Sequence, residues 1–470
     1  MYLYQQLADQ LRTRIETGFY RPEDRLPSVR VLANEYQVSL STVQQAYHQL
    51  EDEFLIEARP KSGYFVCALR RRPSLPPIGR TTQRPVEVSQ WDQVLEALTP
   101  GPLEQEVSLV SGTPNMETPT LKPLLKALSQ SSRQPGGIAM LDYDALQGNA
   151  LLRTQVARMS LHHGAQLHPD EILMTTGCHE AIAIAMRAVC EPGGIIAVES
   201  PGFYGALQSI RAFGMKAMEI PTHPEHGISL EALELALEQW PIRAIQVTPT
   251  CNNPLGYSVS AANKQALYRL AQRFDIAIIE DDTYGDLHYA AMREPTIKSF
   301  DEEGRVLLCS GFSKVLAPGL RLGWIAPGRY FERALHMKYV STGSTAQHSQ
   351  LAVARFIDDG HYMTHLRRMR SLYQQQRDRV LDQVQRDFPA SIHVSDPQGG
   401  FLLWFECAPE IDCVRLSQQL AQEGVRFAPG SMFSPTGKYR HCLRISYARW
   451  GKAEQKALAR IGQAIQEMMS

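Results

Sequence analysis

The sequence predicts an α/β protein in two parts: a small helical module closed by a two-stranded hairpin, then a long domain built on a mostly parallel sheet. Three observations carry this. Leu3, Leu7, Leu11 and Ile15 recur every fourth residue, and two more short amphipathic helices and a hairpin follow before residue 70. From residue 172 onward, near-continuous apolar runs alternate with helical segments, the pattern of strands buried on both faces. Between these regions Pro73, Pro76, Pro77, Gly79 and Pro85 interrupt the periodicity, apart from a short stretch around Trp91 to Leu98. The expected divisions are therefore 1–69, a tether over 70–105, and 106–470.

Composition narrows the classes. With 470 residues, 44% hydrophobic and 21% charged, the chain can bury a sizeable core, which excludes disordered and fibrous classes. No apolar run approaches the roughly 20 residues of a membrane helix, and the start has no basic flank plus apolar block, so a cytoplasmic protein is expected. Eight cysteines without CxxC pairs read as reduced thiols rather than a disulfide frame or zinc site. A net charge of −1 gives no bulk attraction to nucleic acid, so any DNA contact depends on local placement.

In the module, the first helix ends at Gly18. Ser28 stands where an N-cap belongs, before a helix burying Val29, Leu32, Ala33 and Tyr36. After the turn Gln37-Val38-Ser39, a third helix starting near Ser39 turns Val43, Ala46, Tyr47 and Leu50 inward and Ser41, Thr42, Gln44, Gln45 and His48 outward. Polar faces are often merely solvated, but a tight turn followed by hydrogen-bonding side chains at a helix start also suits the major groove. Leu55-Ile56-Glu57 and Tyr64-Phe65-Val66 flank Arg59-Pro-Lys-Ser-Gly63, a hairpin with a basic tip. The module is slightly acidic, yet Arg25, Arg30, Arg59 and Lys61 gather at the helix-turn-helix entrance and the hairpin, while Glu51, Asp52 and Glu53 lie at the far end.

The stretch RLPSVRVLANEYQVSLSTVQQAYHQLEDEFLIEARPKSGYFV resembles the winged-helix domain of GntR-type transcription regulators, with Leu40-Ser41 where that family often has a basic residue and Phe54 where glycine is usual. The resemblance implies binding to double-stranded DNA through Arg25, Ser28, Arg30, Ser39, Ser41, Thr42, Gln44, Gln45, His48, Arg59 and Lys61.

In the long domain, strands are expected at 172–174, 195–198, 244–247, 276–279, 306–308 and 322–325. No GxxxxGK[ST] or GxGxxG is present, so nucleoside triphosphate and dinucleotide readings lack support. The strand ends carry polar groups instead. Thr175-Thr-Gly-Cys-His179 opens a helix and offers backbone N–H groups to an anion. Pro201-Gly-Phe-Tyr204 places an aromatic ring at a strand end, for stacking or for the core. Asn252-Asn-Pro-Leu-Gly256 offers amides or an ordinary turn. Glu280-Asp-Asp-Thr-Tyr284 offers carboxylates and a phenol, a set also open to a divalent metal. Lys314 lies among small and apolar residues seven positions before Arg321.

Together a phosphate cup, a stacking ring, Asn, Tyr, Asp and a lysine suited to a Schiff base describe a pyridoxal 5′-phosphate (PLP) site, and their order resembles the fold-type I aminotransferases from about residue 106 onward. The resemblance implies a mostly parallel large subdomain and a smaller α+β subdomain. It implies Lys314 as the aldimine lysine, Asp281 on the ring nitrogen, and Asn253 and Tyr284 on the ring oxygen, with Phe203 stacked on the ring. Cys178, His179, Ser313 and Arg321 would hold the phosphate, with Tyr143 reaching it from the other subunit of a homodimer. Arg444, in His441-Cys-Leu-Arg444, would pair with an amino-acid carboxylate beside Asn253. Many family members have serine three residues before the lysine; this chain has Gly311, so that contact is either missing or supplied by Ser310. No metal is expected: His361 and His365, and His223 and His226, have metal-like spacing but no third ligand evident nearby in sequence.

Winged helix, linker and aminotransferase-like domain together resemble the MocR subgroup of GntR-type regulators across essentially the whole chain. That implies a PLP-dependent regulator sensing an amine or amino acid through aldimine chemistry; the competing expectation is an active aminotransferase with a fused DNA-binding domain.

Overall fold

Leucines spaced by four hold the N-terminal unit together. The computed structural model describes residues 3–21, 23–52, 55–59, 62–66, 74–79, 84–99, 106–131 and 141–469, in two compact units, 1–72 and 73–470. In the first, α1 (Leu3–Glu16), α2 (Val29–Glu35) and α3 (Leu40–Asp52) precede β1 (Ile56–Arg59) and β2 (Gly63–Val66), an antiparallel pair in which Ile56 faces Val66. Leu7, Leu11 and Ile15 pack with Leu32, Val43, Ala46, Tyr47 and Leu50 in one core, whereas Leu3 at the helix start stays 64% exposed. Ser28 caps α2, accepting from Val31 N–H, and Ser39 caps α3, accepting from Thr42 N–H at 3.1 Å. The Tyr47 hydroxyl donates to the Pro27 carbonyl at 2.6 Å and so ties the third helix to the loop entering the second.

The second unit begins where composition reads as a tether. Its described part is attached: the Val394 N–H donates to the Ser74 carbonyl, Val86 bridges to Ala217, and α4 (Trp91–Leu98) buries Val94. Arg426 donates to the Glu96, Ala97 and Thr99 carbonyls at the end of α4, satisfying groups the helix leaves open. Strand β3 (Val107–Ser108) and helices α5 (Lys122–Ser131) and α6 (Ala150–Leu161) lead into the main sheet.

That sheet comprises β4 (Leu173–Thr175), β5 (Ile195–Ser200), β6 (Lys216–His223), β7 (Gly227–Ile228), β8 (Ile242–Val247), β9 (Ala277–Asp281), β10 (Val306–Gly311) and β11 (Gly323–Ala326), in the order 4-11-10-9-8-5-6-7. Strands β6, β5, β8, β9 and β10 run parallel, and β11 opposes both neighbours. Helices α7 (Cys178–Val189) and α8 (Tyr204–Ala212) share one core with the sheet, while α9 (Leu230–Gln239) and α10 (Ala261–Arg273) share another. The continuous apolar runs are buried strands, as expected for a parallel sheet with two covered faces.

Helices α11 (Phe331–Ser341), α12 (Gln347–Asp358) and the long α13 (His361–Asp387) lead to the smaller subdomain. There β12 (His393–Val394), β13 (Leu402–Glu406), β15 (Ala428–Pro429) and β16 (Cys442–Ser446) form an antiparallel sheet in the order 12-13-16-15. Helix α14 (Cys413–Gln422) and β14 (Val425–Arg426), which pairs with β3, lie between β13 and β15 in sequence, and α15 (Lys452–Met469) follows β16. Among the described residues no helix is long and apolar enough to cross a membrane.

Leu50 is fully buried in the core of the first unit. Leu50→Ala is expected to destabilise that unit by about 2–5 kcal/mol. Hydrogen exchange on the full chain should then accelerate across residues 3–66 while amides of the eight-stranded sheet keep their protection.

Candidate functional site

The carboxyl ends of β4, β5, β8, β9 and β10 converge on a cavity of about 270 Å³ that Arg444 of β16 closes from the smaller subdomain. Cys178, His179, Phe203, Asn253, Asp281, Tyr284, Ser313, Lys314, Arg321 and Arg444 all line it. Tyr143 does not; it is 90% exposed.

Local backbone geometry brings these groups close. Gly177, at φ +123°, ends the β4 turn and caps α7, and it lines the cavity together with Cys178 and His179 of the helix's first turn. A Cβ on Gly323 would lie 2.6 Å from the Cys178 nitrogen, so β11 approaches α7 there only as a glycine, and one on Gly311 would lie 3.1 Å from it, a tight contact. Ser310 does not stand in for a serine at position 311: its hydroxyl donates to the Asp282 carbonyl at 3.1 Å, and it does not line the cavity. Arg321 takes a left-handed conformation at φ 49° as β11 begins, and its guanidinium approaches Gly177.

The loop carrying Asn253 is pinned from below. Buried Glu199 accepts from Thr248 N–H at 2.9 Å, Asn252 Nδ2 at 3.1 Å and the Tyr257 hydroxyl at 2.5 Å. Burial raises its carboxyl to about 7 despite these donors. The two neighbouring asparagines thus differ in role: Asn252 is structural, and Asn253 faces the cavity with its Oδ1 3.4 Å from Arg444 Nη1.

Lys314 donates from Nζ to the Gly112 carbonyl at 2.7 Å. Burial, then the Arg444 charge, lowers it to about 8. Asp281 accepts from Thr283 N–H at 3.0 Å and from the Cys178 thiol at 3.5 Å, and burial raises its carboxyl above the usual range. Burial likewise pushes the Tyr284 phenol up and His179 down. Arg444, 1% exposed, donates to the Val110 carbonyl and leaves Nε without a partner.

This donor set fits PLP. A buried carboxylate with no ion-pair partner among the described residues suits a protonated pyridine nitrogen, an amine lowered to about 8 suits bond formation with an aldehyde, and a helix N-terminus with Arg321 suits a phosphate. A Cβ on Gly112 would lie 2.8 Å from the Tyr284 oxygen and 3.2 Å from Lys314 Nζ, so the glycine keeps this space open. Gly112, Val110, Thr283 and Leu98 are functional neighbours that the sequence reading missed. The Ser111-Gly-Thr-Pro114 turn was the available signal for the first two.

In the first unit, Arg25, Ser28, Arg30, Ser39, Ser41, Gln44, Gln45 and His48 are exposed and Thr42 is half-buried. The Ser39 hydroxyl bonds those of Ser41 and Thr42, so three of the expected contact groups form one cluster at the start of α3. Arg59 lies over the Phe65 ring and pairs with Glu57 at 2.6 Å and Glu23 at 2.7 Å. Lys61 lies outside the described residues.

Of the histidine pairs, His365 is buried between the Thr120 hydroxyl and the Val315 carbonyl. The His223 and His226 rings stack at 4.4 Å, and Glu225 supplies the nearby carboxylate that the sequence reading did not find. His223 Nδ1 already accepts from the Glu225 and His226 N–H groups, which turns its remaining nitrogen into a donor.

Residues 106–461 match the family described as aminotransferase class I and II, and residues 3–66 match the bacterial regulatory proteins of the gntR family. The chain is 49% identical over 467 residues to the uncharacterized HTH-type transcriptional regulator YjiR of Escherichia coli K12, covering 99% of each. It is 34% identical to YdcR of the same organism, again with 99% of each covered. The crystal structure of Thermus thermophilus LysN, an α-aminoadipate aminotransferase complexed with N-(5′-phosphopyridoxyl)-L-leucine, shares 25% identity at a TM-score of 0.73, over 80% of this chain and 95% of that one. Pyrococcus horikoshii kynurenine aminotransferase shares 25% identity at 0.74, over 82% and 96%. The chain therefore belongs to the class I and II aminotransferase family, with PLP as the cofactor of that domain, and joins it to a gntR-family helix-turn-helix domain in the MocR-type architecture of transcription regulators.

Proposed function

We propose that the protein is a PLP-dependent transcription regulator that senses an amine or amino acid in its aminotransferase-like cavity and converts occupancy into a change in DNA affinity. The supporting observation is that a chain with a winged helix keeps Lys314, Asp281, Asn253, Tyr284 and Arg444 around one cavity. PLP supplies an aldehyde that condenses with amines and a ring that delocalises charge. Lys314 is the attachment point, available as a neutral amine because burial and Arg444 lower it to about 8. Asp281 holds a proton on the ring nitrogen, Asn253 and Tyr284 hydrogen-bond the ring oxygen, and Phe203 packs on the ring face. The N–H groups of Cys178 and His179, with Ser313 and Arg321, hold the phosphate. Arg444, which lines the cavity with its Nη1 3.4 Å from Asn253 Oδ1, receives the effector's carboxylate beside that asparagine.

The reading includes a cytoplasmic homodimer. Tyr143 and Leu141 are 90% and 87% exposed, which leaves them open to a second copy, and in this reading Tyr143 reaches the partner's phosphate. On double-stranded DNA, the Ser39, Ser41 and Thr42 cluster with Gln44, Gln45 and His48 reads the groove, while Arg25, Ser28, Arg30, Arg59 and Lys61 contact the backbone. An active aminotransferase with a fused DNA-binding domain is the second reading, favoured by the presence of both Lys314 and Arg444. Footprinting on the protein's own upstream DNA, with PLP and with or without candidate amines, separates them: the sensing reading fails if every amine that perturbs the cofactor spectrum leaves affinity and footprint unchanged.

Three outcomes follow from these roles. Because the folded pKa of Lys314 lies below the usual lysine value, its amine is half neutral at about pH 8, and labelling of the apo-protein by acetic anhydride, read by peptide mass spectrometry, should rise through that pH. Removing the neighbouring charge in Arg444→Ala should move the midpoint upward. The same variant should keep basal DNA binding but lose the response to a carboxylate-bearing effector, a coupling of about 1–3 kcal/mol, measured by DNA titration. Arg30→Ala should weaken DNA binding and reduce its salt dependence, whereas Gln44→Ala should change sequence preference at nearly constant salt slope, as binding isotherms at several salt concentrations would report.

A further inference from the structure

Once a cofactor and an α-carboxylate are seated, the charges that line the cofactor cavity are all engaged. Among the described residues its charged lining groups are Asp281, Lys314, Arg321 and Arg444. In the proposed function Lys314 serves the cofactor's aldehyde, Asp281 its ring nitrogen, Arg321 its phosphate and Arg444 the carboxylate of an amino acid. A phosphate carries about −1.5 to −2 at neutral pH, so phosphate and carboxylate together outweigh the two arginines. His179 adds no charge there, because burial holds it below its usual value. The buried acids Glu199 and Glu280 do not line the cavity.

The wall left for the rest of an amino acid is apolar. Of the lining side chains without a role at the cofactor, Ile182 is buried, and the N–H and hydroxyl of Thr283 both bond the Asp281 carboxylate. Leu98 and Tyr204 remain open: Leu98 is 49% exposed and Tyr204 half-buried. Tyr204 lies next to the carboxylate-binding group through a shared ring, since it meets Phe433 edge-on at 5.6 Å and the Arg444 guanidinium lies over the same Phe433 ring at 5.4 Å. Leu98 enters from the end of α4, whose Val94 and Ala97 belong to the same packed cluster as Tyr204 and Phe433. That helix is held in place: Arg426 donates to the Glu96, Ala97 and Thr99 carbonyls, and the Ser431 hydroxyl donates to Gln93 Oε1 at 2.8 Å.

We propose that the amino acid accepted by this cavity has an uncharged, aliphatic side chain of leucine type, packed on Leu98 and the Tyr204 ring. The inference rests on the reading that the cavity takes an amino acid on PLP through Arg444. A side-chain carboxylate loses water without a cation to pair with, and a side-chain cation finds no free carboxylate. A hydrocarbon chain instead covers apolar surface that faces water. Selection therefore comes from exclusion as well as attraction.

The test titrates PLP-loaded full-length protein with L-leucine, L-alanine, L-glutamate and L-arginine and follows the cofactor absorbance. Leucine should bind about tenfold or more tightly than glutamate or arginine, and about threefold or more tightly than alanine. Leu98→Ala should weaken leucine by about threefold or more while changing alanine less. Leu98→Arg, which puts a cation on this half-exposed position, should reverse the preference and raise glutamate affinity by about tenfold. Glutamate or arginine binding the wild type as tightly as leucine, or Leu98 variants that shift every amino acid alike, would overturn the proposal and leave the sensing reading standing. A spectrum that no amino acid perturbs removes that reading, and the proposal with it.

Discussion

Lys314 and Arg444 share one cavity with a single buried carboxylate, Asp281. Two cations against one anion, with Arg321 at the rim, leave an excess of positive potential. Burial disfavours charge on Lys314, Arg444 reinforces that and Asp281 opposes it. Much of the architecture is arranged around this imbalance: an anion-accepting helix start at α7, backbone carbonyls of Val110 and Gly112 facing the two cations, and glycines where β10 and β11 press against α7. A phosphate and a carboxylate are the ligand charges that such a cavity lacks.

A second layer of buried acids keeps the strand-end loops rigid. Glu199 gathers Thr248, Asn252 and Tyr257, and Glu280, raised to about 7 by burial, accepts from the Ile297 and Lys298 N–H groups. Neither acid lines the cofactor cavity beside Lys314. Their hydrogen bonds fix the loop after β8 and the segment following β9, which leaves Asn253 and Tyr284 little freedom to reorient. Positioning of this kind rests on satisfied buried polar groups rather than on apolar packing.

The same distinction explains what the sequence disclosed. Strands such as Ile195–Ser200 and Ala277–Asp281 were legible because both faces are apolar, and Lys314 because its spacing to Arg321 is a local feature. Strand β6 was missed because Glu219 and Pro221 interrupt its apolar pattern. Glu219 is tolerated there because hydroxyls of Ser200 and Ser434 and the Lys438 amine, distant in sequence, surround it. The attachment of residues 84–99 was hidden for a similar reason, since Arg426 and the Val86 bridge to Ala217 come from remote segments. Gly112 and Val110 act through backbone carbonyls, which no residue type advertises. Ser310 was a plausible substitute by proximity, but strand direction turns its hydroxyl to Asp282.

The segment 281–288 carries groups of two cavities: Asp281 and Tyr284 face the cofactor site, and Asp286 and His288 line another, between the end of α6 and the start of α13. Gly285 sits between them, where a Cβ would lie 2.3 Å from Arg293 Nη2 and from the Asp282 carboxylate. That close packing leaves the segment few ways to move, because displacing Arg293 also displaces Asp282, the neighbour of Asp281.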